Sequence, residues 1–366
     1  MDELYIGLMS GTSIDGIDAV LVDFSQDQFK LIGTHYQAYP EPLRATLLGI
    51  VKQQSTGLAQ LMDCDHEVAV VNALAIKKLL QTTNIATTRI KAVGFHGQTL
   101  FHQPQGKPNS LQIGDPNFLA QHSGMTVVTD FRRRDMAVGG QGAPLVPLFH
   151  EYLFRDSSVD RAILNLGGIA NLTLLAADQN QATTGFDTGP ASCLLDDWIA
   201  QHQQKNFDEQ GQWAKQGQLI PSLLEKLLSD PYFDLPAPKS TGREYFHLNW
   251  LNKHIGSNHY AAVDVQTTLT HLTAQSIASQ LLKYAPKTQQ VFVCGGGVQN
   301  AYLLALLQQQ LSTREIASTQ TLGLHPDWVE ACAFAWLAKR TYAKQPGNLP
   351  SVTGASQPVV LGGMYF

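Results

Sequence analysis

One segment near the N-terminus restricts the possible folds more than any other: Tyr5 to Phe24, with the sequence YIGLMSGTSIDGIDAVLVDF. Two apolar stretches rich in β-forming residues flank a cluster of Gly, Ser, Thr and Asp, and this pattern predicts a β-hairpin. Glycine lets the backbone approach a ligand closely, and exposed N–H groups beside Ser and Thr hydroxyls suit phosphate oxygens. The alternative is an ordinary polar turn, because turns are commonly built from these residues.

Two further apolar segments also run into glycines. The first, Ala162 to Leu172, contains the pair Gly167-Gly168 just after Asn165, and the second, Val291 to Gly297, ends in three glycines. Glycine-marked strand ends of this kind allow a nucleotide to be contacted mainly by backbone. The sequence has no G-x-x-x-x-G-K-[ST] motif and no GxGxxG after a strand, which excludes a P-loop and disfavours a dinucleotide site.

Length and composition narrow the class of protein. A chain of 366 residues predicts two domains, and 44% hydrophobic with 15% charged residues is typical of a globular protein. A net charge of −5, with Arg132 to Arg134 as the one basic run, disfavours nucleic acid as the partner. No apolar stretch reaches the roughly 18 residues of a membrane span. The acidic start, Met1 to Glu3, predicts no signal peptide, and four isolated cysteines predict reduced, mostly buried thiols, so a cytoplasmic protein is expected.

The predicted order of elements is the same in the two halves of the chain. Each half begins with a hairpin and a third strand, continues with helices, and then has further strands. This repetition predicts a duplicated α/β core with a cleft between the halves. The main predicted elements are the strands 29–39, 90–95, 127–129, 184–187 and 290–294, the second hairpin 161–175, and the helices 42–53, 58–80, 190–201, 267–284, 300–311 and 326–342. The segment 230–249 is expected to be a surface excursion and the tail 346–366 to be extended.

Asp187 is the first candidate for catalysis. It lies in the sequence Gly185 to Pro190, GFDTGP, at the predicted end of a strand and just before a predicted helix that has Pro190 at its first position. The dipole at a helix N-terminus stabilises negative charge, so the carboxylate is expected to stay ionised and able to take a proton. The alternative is that Asp187 only caps the helix.

Other polar clusters are weaker candidates when judged by the residues alone. His96, Gln98 and Thr99 follow a buried strand, where α/β proteins place ligands, although a single histidine is more often a core or loop residue. Arg132 to Arg134 has the composition of a solvated charge run. Glu330 lies about one turn into a predicted helix whose other face is apolar, and it could be an ordinary surface glutamate.

A series of motifs covers the whole chain, in the order SGTSIDGID, GFHGQT, DFRRRD, GGQGAPL, GFDTGP, STGRE and CGGG. In this order they resemble the anhydro-N-acetylmuramic acid kinase family, within the actin-like ATPase superfamily. The resemblance implies a duplicated RNase H-like fold with an interdomain cleft. Residues 1–131 would form the sugar-side domain, and residues 132–366 would form the domain with the nucleotide and the catalytic base. It also implies ATP with Mg²⁺, no direct metal ligand assigned among the residues, and a homodimer.

The resemblance assigns roles to individual residues. Asp187 would be the catalytic base. Nucleotide contacts would come from Gly11, Thr12 and Ser13 at the γ-phosphate, the rest of the same turn (Ile14, Asp15, Gly16, Ile17, Asp18), the β/γ side (Asn165, Gly167, Gly168) and the adenosine side (Gly295, Gly296, Gly297). Sugar contacts would come from Gln98, Thr99, Arg134 and Glu330.

The implied reaction converts ATP, 1,6-anhydro-N-acetylmuramic acid and water into N-acetylmuramate 6-phosphate and ADP, in the recycling of bacterial peptidoglycan. An ordinary sugar kinase on the same fold is the alternative enzyme, with Asp187 deprotonating a substrate hydroxyl instead of water. A nucleotide-driven chaperone or filament protein is a different class. It is disfavoured because the sequence has no spare domain beyond the two predicted halves.

Overall fold

The computed structural model of the chain describes residues 3–104 and 106–366, so Met1 and Asp2 of the acidic start lie outside the described residues. Contacts divide the chain into two compact units. Unit 1 comprises the described residues up to Leu153 together with Trp328–Phe366, and unit 2 comprises Phe154–Asp327. The expected boundary between residues 131 and 132 therefore falls inside unit 1, and the C-terminal segment belongs to unit 1 as well.

The strands are β1 (Leu4–Met9), β2 (Gly16–Asp23), β3 (Lys30–Ala38), β4 (Ile90–Phe95), β5 (Gln98–Gln103), β6 (Asn109–Ile113), β7 (Val127–Thr129), β8 (Arg161–Leu166), β9 (Ile169–Leu175), β10 (Thr184–Pro190), β11 (Gln290–Cys294), β12 (Glu315–Ser318) and β13 (Gly363–Tyr365). The helices are α1 (Glu41–Gln53), α2 (Leu58–Thr83), α3 (Pro116–Ser123), α4 (Phe131–Met136), α5 (Pro147–Phe154), α6 (Ser192–Gln203), α7 (Pro221–Leu228), α8 (Pro231–Asp234), α9 (Leu248–Ile255), α10 (Ala262–Tyr284), α11 (Ala301–Gln310), α12 (Val329–Tyr342) and α13 (Pro350–Thr353).

The main sheets of the two units have the same topology. In unit 1, β1, β2 and β3 are antiparallel neighbours, β4 is parallel to β1, and β7 is parallel to β4. In unit 2, β8, β9 and β10 are antiparallel neighbours, β11 is parallel to β8, and β12 is parallel to β11. The repetition confirms the predicted duplicated α/β fold of RNase H-like units.

The C-terminal segment belongs to unit 1 because it packs on that unit's sheet. Strand β13 pairs with β7, and helix α12 lies directly on β1 and β4. A Cβ on Gly7 would lie 1.9 Å from the carbonyl oxygen of Ala331, and one on Gly94 would lie 2.0 Å from that of Phe334. Only glycine allows so close an approach between strand and helix. The predicted extended tail is thus partly correct, since it also contains α13.

Helix α2 covers part of the core of unit 1 for a reason visible in its sequence. Its buried residues recur at helical spacing, as in Cys64, Val68, Val71, Ala75 and Leu79. They join the apolar side chains of β1, β2 and β4 in one core cluster. Unit 2 has an equivalent cluster between its sheet and the helices α10 and α11. All four cysteines of the chain are buried thiols, as predicted.

Two local predictions are wrong. Pro190 is the last residue of β10, and α6 begins only at Ser192. The segment 230–249 is not a surface excursion, because Tyr232, Phe233 and Phe246 are buried in a second core cluster of unit 2. The aromatic side chains of that segment form two adjacent pairs, Tyr232-Phe233 and Tyr245-Phe246, with two prolines and a glycine between them, so they produce no helical or strand periodicity. The β5–β6 hairpin was not predicted either.

No helix in the described ranges is long and apolar enough to cross a membrane.

Candidate active site

The turn between β1 and β2 in unit 1 has a strained backbone. Ile14 has φ of 55°, in the left-handed region that β-branched residues rarely adopt. Its side chain is buried in the core, and its N–H donates to the carbonyl of Gly11 over 3.3 Å. Burial of Ile14 therefore stabilises the turn, while Thr12 and Ser13 are exposed. A strained turn that presents two hydroxyls is a functional candidate, as the sequence predicted.

Gln98 supports this turn through hydrogen bonds from its side chain. Its side chain is fully buried, and its Oε1 accepts a hydrogen bond of 2.5 Å from the hydroxyl of Ser10. Its Nε2 donates to the carbonyl oxygens of Gly11 and Thr99, over 3.3 and 3.2 Å. The structure thus places the amide of Gln98 against the turn. The neighbouring Thr99 is half-buried, and its hydroxyl accepts from Nε2 of Gln112 over 3.2 Å.

Two carboxylates accompany the turn. Asp15 forms an ion pair of 2.9 Å with Arg44, and Asp18 is half-buried on β2. Burial raises the pKa of Tyr36, and the negative charges of Asp15 and Asp18 raise it further. Tyr36 also lies against the start of β2, since a Cβ on Gly16 would be 2.7 Å from its hydroxyl. Gly16 and Ile17 are buried. These carboxylates form the acidic side of the turn.

A buried histidine directly after β4 is paired with an arginine. Nε2 of His96 accepts from Nε and Nη2 of Arg132, over 3.1 and 2.9 Å. Because a guanidinium only donates, the proton of His96 is on Nδ1, which donates to the carbonyl of Gly97 over 2.8 Å. Burial, and then Arg132, lower the pKa of His96 well below its usual value, so the ring is neutral. Arg132 also donates to the carbonyl of Gly142 over 2.8 Å.

The other two arginines of the run have different surroundings. Arg133 forms an ion pair of 2.7 Å with Asp130, and Arg134, the predicted sugar contact, is exposed. The run is therefore not uniformly solvated. Sequence reasoning did not distinguish Arg132, although its position next to a buried Phe131 on a short helix is consistent with a partly buried side chain.

Asp135, which closes the motif DFRRRD, was missed by the sequence analysis. It is fully buried, and its carboxylate accepts from the amide of Gly142 at 2.8 Å and from Asn348 and Thr353 at 2.7 Å each. A buried carboxylate needs such donors, and here they come from the motif GGQGAPL and from the C-terminal segment. The one available signal was an acidic residue adjoining a basic run.

Glu330 is the second residue of α12 and is half-buried. A carboxylate in the first turn of a helix is stabilised by the helix dipole. The neighbouring Ala331, Phe334 and Leu337 are buried, which confirms the predicted apolar face. Glu330 thus lies at the edge of a buried helix face, at a position suited to an ionised carboxylate.

The turn between β8 and β9 in unit 2 consists of Gly167 and Gly168 alone. The carbonyl of Gly167 accepts from the amide of Ser192 over 3.1 Å, and that of Gly168 accepts from Ala191 and Cys193 over 3.0 and 3.1 Å. These bonds satisfy amides at the start of α6. No side chain caps this helix, so the alternative role of Asp187 as its cap is wrong. Asn165 lies near the end of β8 and is buried.

Asp187 lies within β10, where the pairing with β9 shifts register between Asp187 and Gly189. Its carboxylate Oδ2 accepts from the amide of Thr241 over 2.9 Å, and the residue is 8% exposed. Its own amide donates to the carbonyl of Lys239 over 3.0 Å, and its carbonyl accepts from the hydroxyl of Tyr232 over 2.8 Å. The predicted position just before a helix is therefore wrong. A main-chain amide, rather than a helix dipole, contacts the carboxylate.

The three glycines after β11 are not equivalent. Gly295 has φ of 80°, and a Cβ there would lie 2.3 Å from Oδ1 of Asn165. A Cβ on Gly297 would lie 2.6 Å from the Cβ of Leu166, whereas one on Gly296 would meet nothing within 4 Å. Gly295 and Gly297 are thus required by packing against the end of β8. Only Gly296 has open space beside its backbone.

Comparison with known proteins covers the full length. Residues 3–366 match the family model described as Anhydro-N-acetylmuramic acid kinase. Proteins of that name from Coxiella burnetii (strain RSA 493 / Nine Mile phase I) and Shewanella denitrificans are 47% and 48% identical over 365 residues. These matches cover 100% and 99% of this chain and 98% of each relative. Among solved structures, (R)-2-hydroxyglutaryl-CoA dehydratase component A from Acidaminococcus fermentans matches with a TM-score of 0.49 and 11% identity, over 93% of this chain and 100% of the other.

Proposed function

The chain belongs to the anhydro-N-acetylmuramic acid kinase family, and we propose that Asp187 is the general base of its reaction. The substrate is 1,6-anhydro-N-acetylmuramic acid, the phosphoryl donor is ATP, and the product is N-acetylmuramate 6-phosphate in peptidoglycan recycling. One observation supports the role of Asp187 most directly. Asp187 is only 8% exposed, and its carboxylate accepts a 2.9 Å hydrogen bond from the amide of Thr241, a contact that stabilises negative charge on the side chain.

Asp187 takes a proton from water, and the water oxygen forms a bond to C1 of the sugar while the bond from C1 to the bridge oxygen breaks. The released oxygen, now O6, takes the γ-phosphoryl group, and ADP leaves. Phosphoryl transfer depends mainly on positioning and electrostatic stabilisation, so donors around the phosphates are the other requirement.

Those donors are available in both units. We propose that Gly11, Thr12 and Ser13 bind the γ-phosphate, since both hydroxyls are exposed and a Cβ on Gly11 would meet only Oγ of Ser13, at 3.9 Å. Asn165, Gly167 and Gly168 would bind the β/γ side. The carbonyls of both glycines already accept hydrogen bonds from amides at the start of α6, which supports this assignment. With the carbonyls occupied, main-chain N–H groups are the polar groups that this turn can offer to a phosphate. Adenosine would lie beside Gly295, Gly296 and Gly297.

The carboxylates beside the turn between β1 and β2 fit a divalent cation that binds together with the nucleotide. Mg²⁺ takes one or two carboxylates with phosphate and water oxygens, and Asp15 and Asp18 supply carboxylates of this kind. Within residues 3–104 and 106–366, no group of three or more His, Cys, Asp or Glu could hold a metal by itself. When bound, Mg²⁺ would neutralise phosphate charge. Arg44 orients Asp15 through their 2.9 Å ion pair.

We assign the sugar contacts to four residues of unit 1, namely Gln98, Thr99, Arg134 and Glu330. The exposed guanidinium of Arg134 suits the carboxylate of the substrate's lactyl group, and Thr99 and Glu330 would hydrogen-bond sugar hydroxyls. Gln98 would act mainly through its bonds to Ser10 and Gly11, next to Thr99. We further propose that the protein is a cytoplasmic homodimer, as the family resemblance implies.

A single turnover in ¹⁸O-water tests the proposal against an ordinary sugar kinase. The expected product carries label at the anomeric hydroxyl and none in the phosphate ester, and it forms first as the α anomer because water attacks opposite the bridge. The product is trapped early, since the anomeric oxygen exchanges with water. Label in the ester oxygen, or a β anomer formed first, would show that water activated by Asp187 does not open the ring.

A further inference from the structure

The motif STGRE, residues 240–244, has no role in the chemistry above, yet it adjoins the proposed base. We define the Asp187 strap as Asp230–Phe246. Three of its residues bind three different groups of Asp187. Thr241 donates its amide to the carboxylate, Lys239 accepts from the amide of Asp187, and Tyr232 donates its hydroxyl to the carbonyl of Asp187. The strap therefore restrains both the backbone and the carboxylate of Asp187.

The two ends of the strap's central loop are joined by one side chain. Nζ of Lys239 donates to the carbonyls of Tyr232 and Phe233, over 3.1 and 3.2 Å, and lies 4.6 Å from the centre of the Tyr232 ring. Lys239 is only 5% exposed. A buried ammonium is costly unless polar groups bind it, and the two carbonyls and the Tyr232 ring are the groups that do so here. The same carbonyl of Phe233 accepts from Gln280 of α10 over 2.9 Å, which ties the loop to the core.

We propose that Lys239 is a positioning residue for Asp187. By holding the carbonyls of Tyr232 and Phe233, its ammonium fixes the loop so that the Thr241 amide and the Tyr232 hydroxyl meet Asp187. The orientation of the carboxylate toward the attacking water then depends on Lys239, although Lys239 does not contact the substrate. This inference rests on the proposed function, in which Asp187 is the base.

The charge on Lys239 adds a pH dependence to this arrangement. Burial lowers the pKa of Lys239 to about 8, and the positive charge of Lys283 lowers it as well, whereas Asp234 and Asp187 act in the opposite direction. The ammonium is therefore lost as the pH rises through 8. A neutral amine is a weaker hydrogen-bond donor to the two carbonyls and loses its attraction to the Tyr232 ring. The positioning of Asp187 is expected to weaken in the same pH range.

The test compares Lys239→Met and Lys239→Arg with Lys283→Met, whose parent residue is exposed and contacts the ring of Tyr284. Lys239→Met should lower kcat about tenfold to a hundredfold at pH 7, with the KM for ATP almost unchanged, because misplaced catalytic groups cost rates of this order. The parent should show a fall in kcat above about pH 8. Lys239→Arg should retain more activity than Lys239→Met and move this fall to higher pH.

Lys283→Met is the matched control. It removes the neighbouring positive charge without touching the loop, so kcat at pH 7 should stay unchanged while the alkaline fall moves to higher pH. If Lys239→Met does not fold, as judged by circular dichroism, the pH profile of Lys239→Arg decides, because arginine keeps its charge above pH 8. An alkaline fall in Lys239→Arg at the same pH as in the parent, or kcat within twofold of the parent in a folded Lys239→Met, would overturn the role of Lys239.

Asp187→Asn separates this inference from the proposed function. An active Asp187→Asn enzyme would overturn the role of Asp187 and with it the role of Lys239. An inactive Asp187→Asn enzyme with a fully active Lys239→Met would leave Asp187 as the base and remove only Lys239. In the double variant, Lys239→Met should cause no further loss, because it acts through Asp187.

Discussion

The hairpin turns at the start of the two sheets occupy equivalent positions in the same topology, but they are held differently. The turn of unit 1 is long, contains a strained Ile14, and is supported by the buried side chain of Gln98. The turn of unit 2 has only Gly167 and Gly168, and its carbonyls bind the first amides of α6. A duplicated fold thus fixes where a turn lies, while the sequence of each turn decides whether side chains or backbone define it.

The buried polar groups that support the unit 1 turn also differ in charge from those around Asp187 in unit 2. The buried polar groups beside the unit 1 turn include the neutral amide of Gln98 and the neutral ring of His96. In unit 2, the carboxylate of Asp187 and the ammonium of Lys239 are both buried. Neutral groups can hold a backbone in place at little electrostatic cost, whereas a carboxyl group must be ionised to accept a proton as a base. In the proposed mechanism the group that accepts the proton therefore lies in unit 2, whereas Gln98 and His96 of unit 1 are neutral.

The largest expected effect comes from removing the charge in unit 2. Asp187→Asn keeps the size of the side chain, so ATP affinity by calorimetry should stay within a few-fold while kcat falls about 10²–10⁴-fold, as expected for loss of a general base. Asp178→Asn, an exposed carboxylate of the same unit, is the control and should be fully active. Turnover of Asp187→Asn within a few-fold of the parent would remove the contrast between the units.

Glycine substitutions test the backbone contacts with a smaller effect. Gly11→Val and Gly296→Val have room for the new Cβ, so both should fold normally. Each should weaken ATP binding about tenfold to a hundredfold, or about 1.4–2.8 kcal/mol, if backbone must approach the nucleotide there. Calorimetry measures the affinity.

Gly295→Val is the structural contrast to these variants. Its Cβ would lie 2.3 Å from Oδ1 of Asn165, and its φ of 80° is strained for valine. It should therefore lower the melting temperature, which the other two should leave near that of the parent. Unchanged ATP affinity in both Gly11→Val and Gly296→Val would exclude these turns as nucleotide contacts.

The smallest expected effect is a pH dependence of stability, and it comes from the buried neutral histidines of unit 1. Burial holds the pKa of His96 well below its usual value and lowers that of His102 to about 4 and that of His150 to about 3, all in unit 1. Below about pH 6.5 the unfolded chain binds protons at these rings and the folded chain does not. The free energy of unfolding therefore decreases as the pH is lowered below about 6.5. Each ring contributes at most about 1.4 kcal/mol per pH unit.

Urea unfolding at pH 7.5, 6 and 5 measures this slope. His150→Gln removes one of the titrating rings and should make the dependence on pH less steep than in the parent. A parent whose free energy of unfolding is constant between pH 6.5 and 5 would show that these histidines do not stay neutral in the folded state.

Several features of the protein follow from the sequence by itself. Strands β4, β7 and β11 have the predicted bounds, and the two hairpins and the repeated order of strands are confirmed. These features depend on short-range patterns, namely runs of apolar residues and the glycines that end them. The family likewise follows from motifs that are contiguous in the chain, and the family comparison over residues 3–366 confirms it.

The tertiary structure alone decided the surroundings of the polar residues. Asp135 binds Asn348 and Thr353, which are 213 and 218 positions away, and the contacts of Asp187 come from Thr241 and its neighbours, 54 positions away in the case of Thr241. Hydrogen bonds are short and directional, so their partners depend on how distant segments pack rather than on local pattern. For the same reason α6 begins at Ser192, where the carbonyls of the Gly167-Gly168 turn accept its first amides.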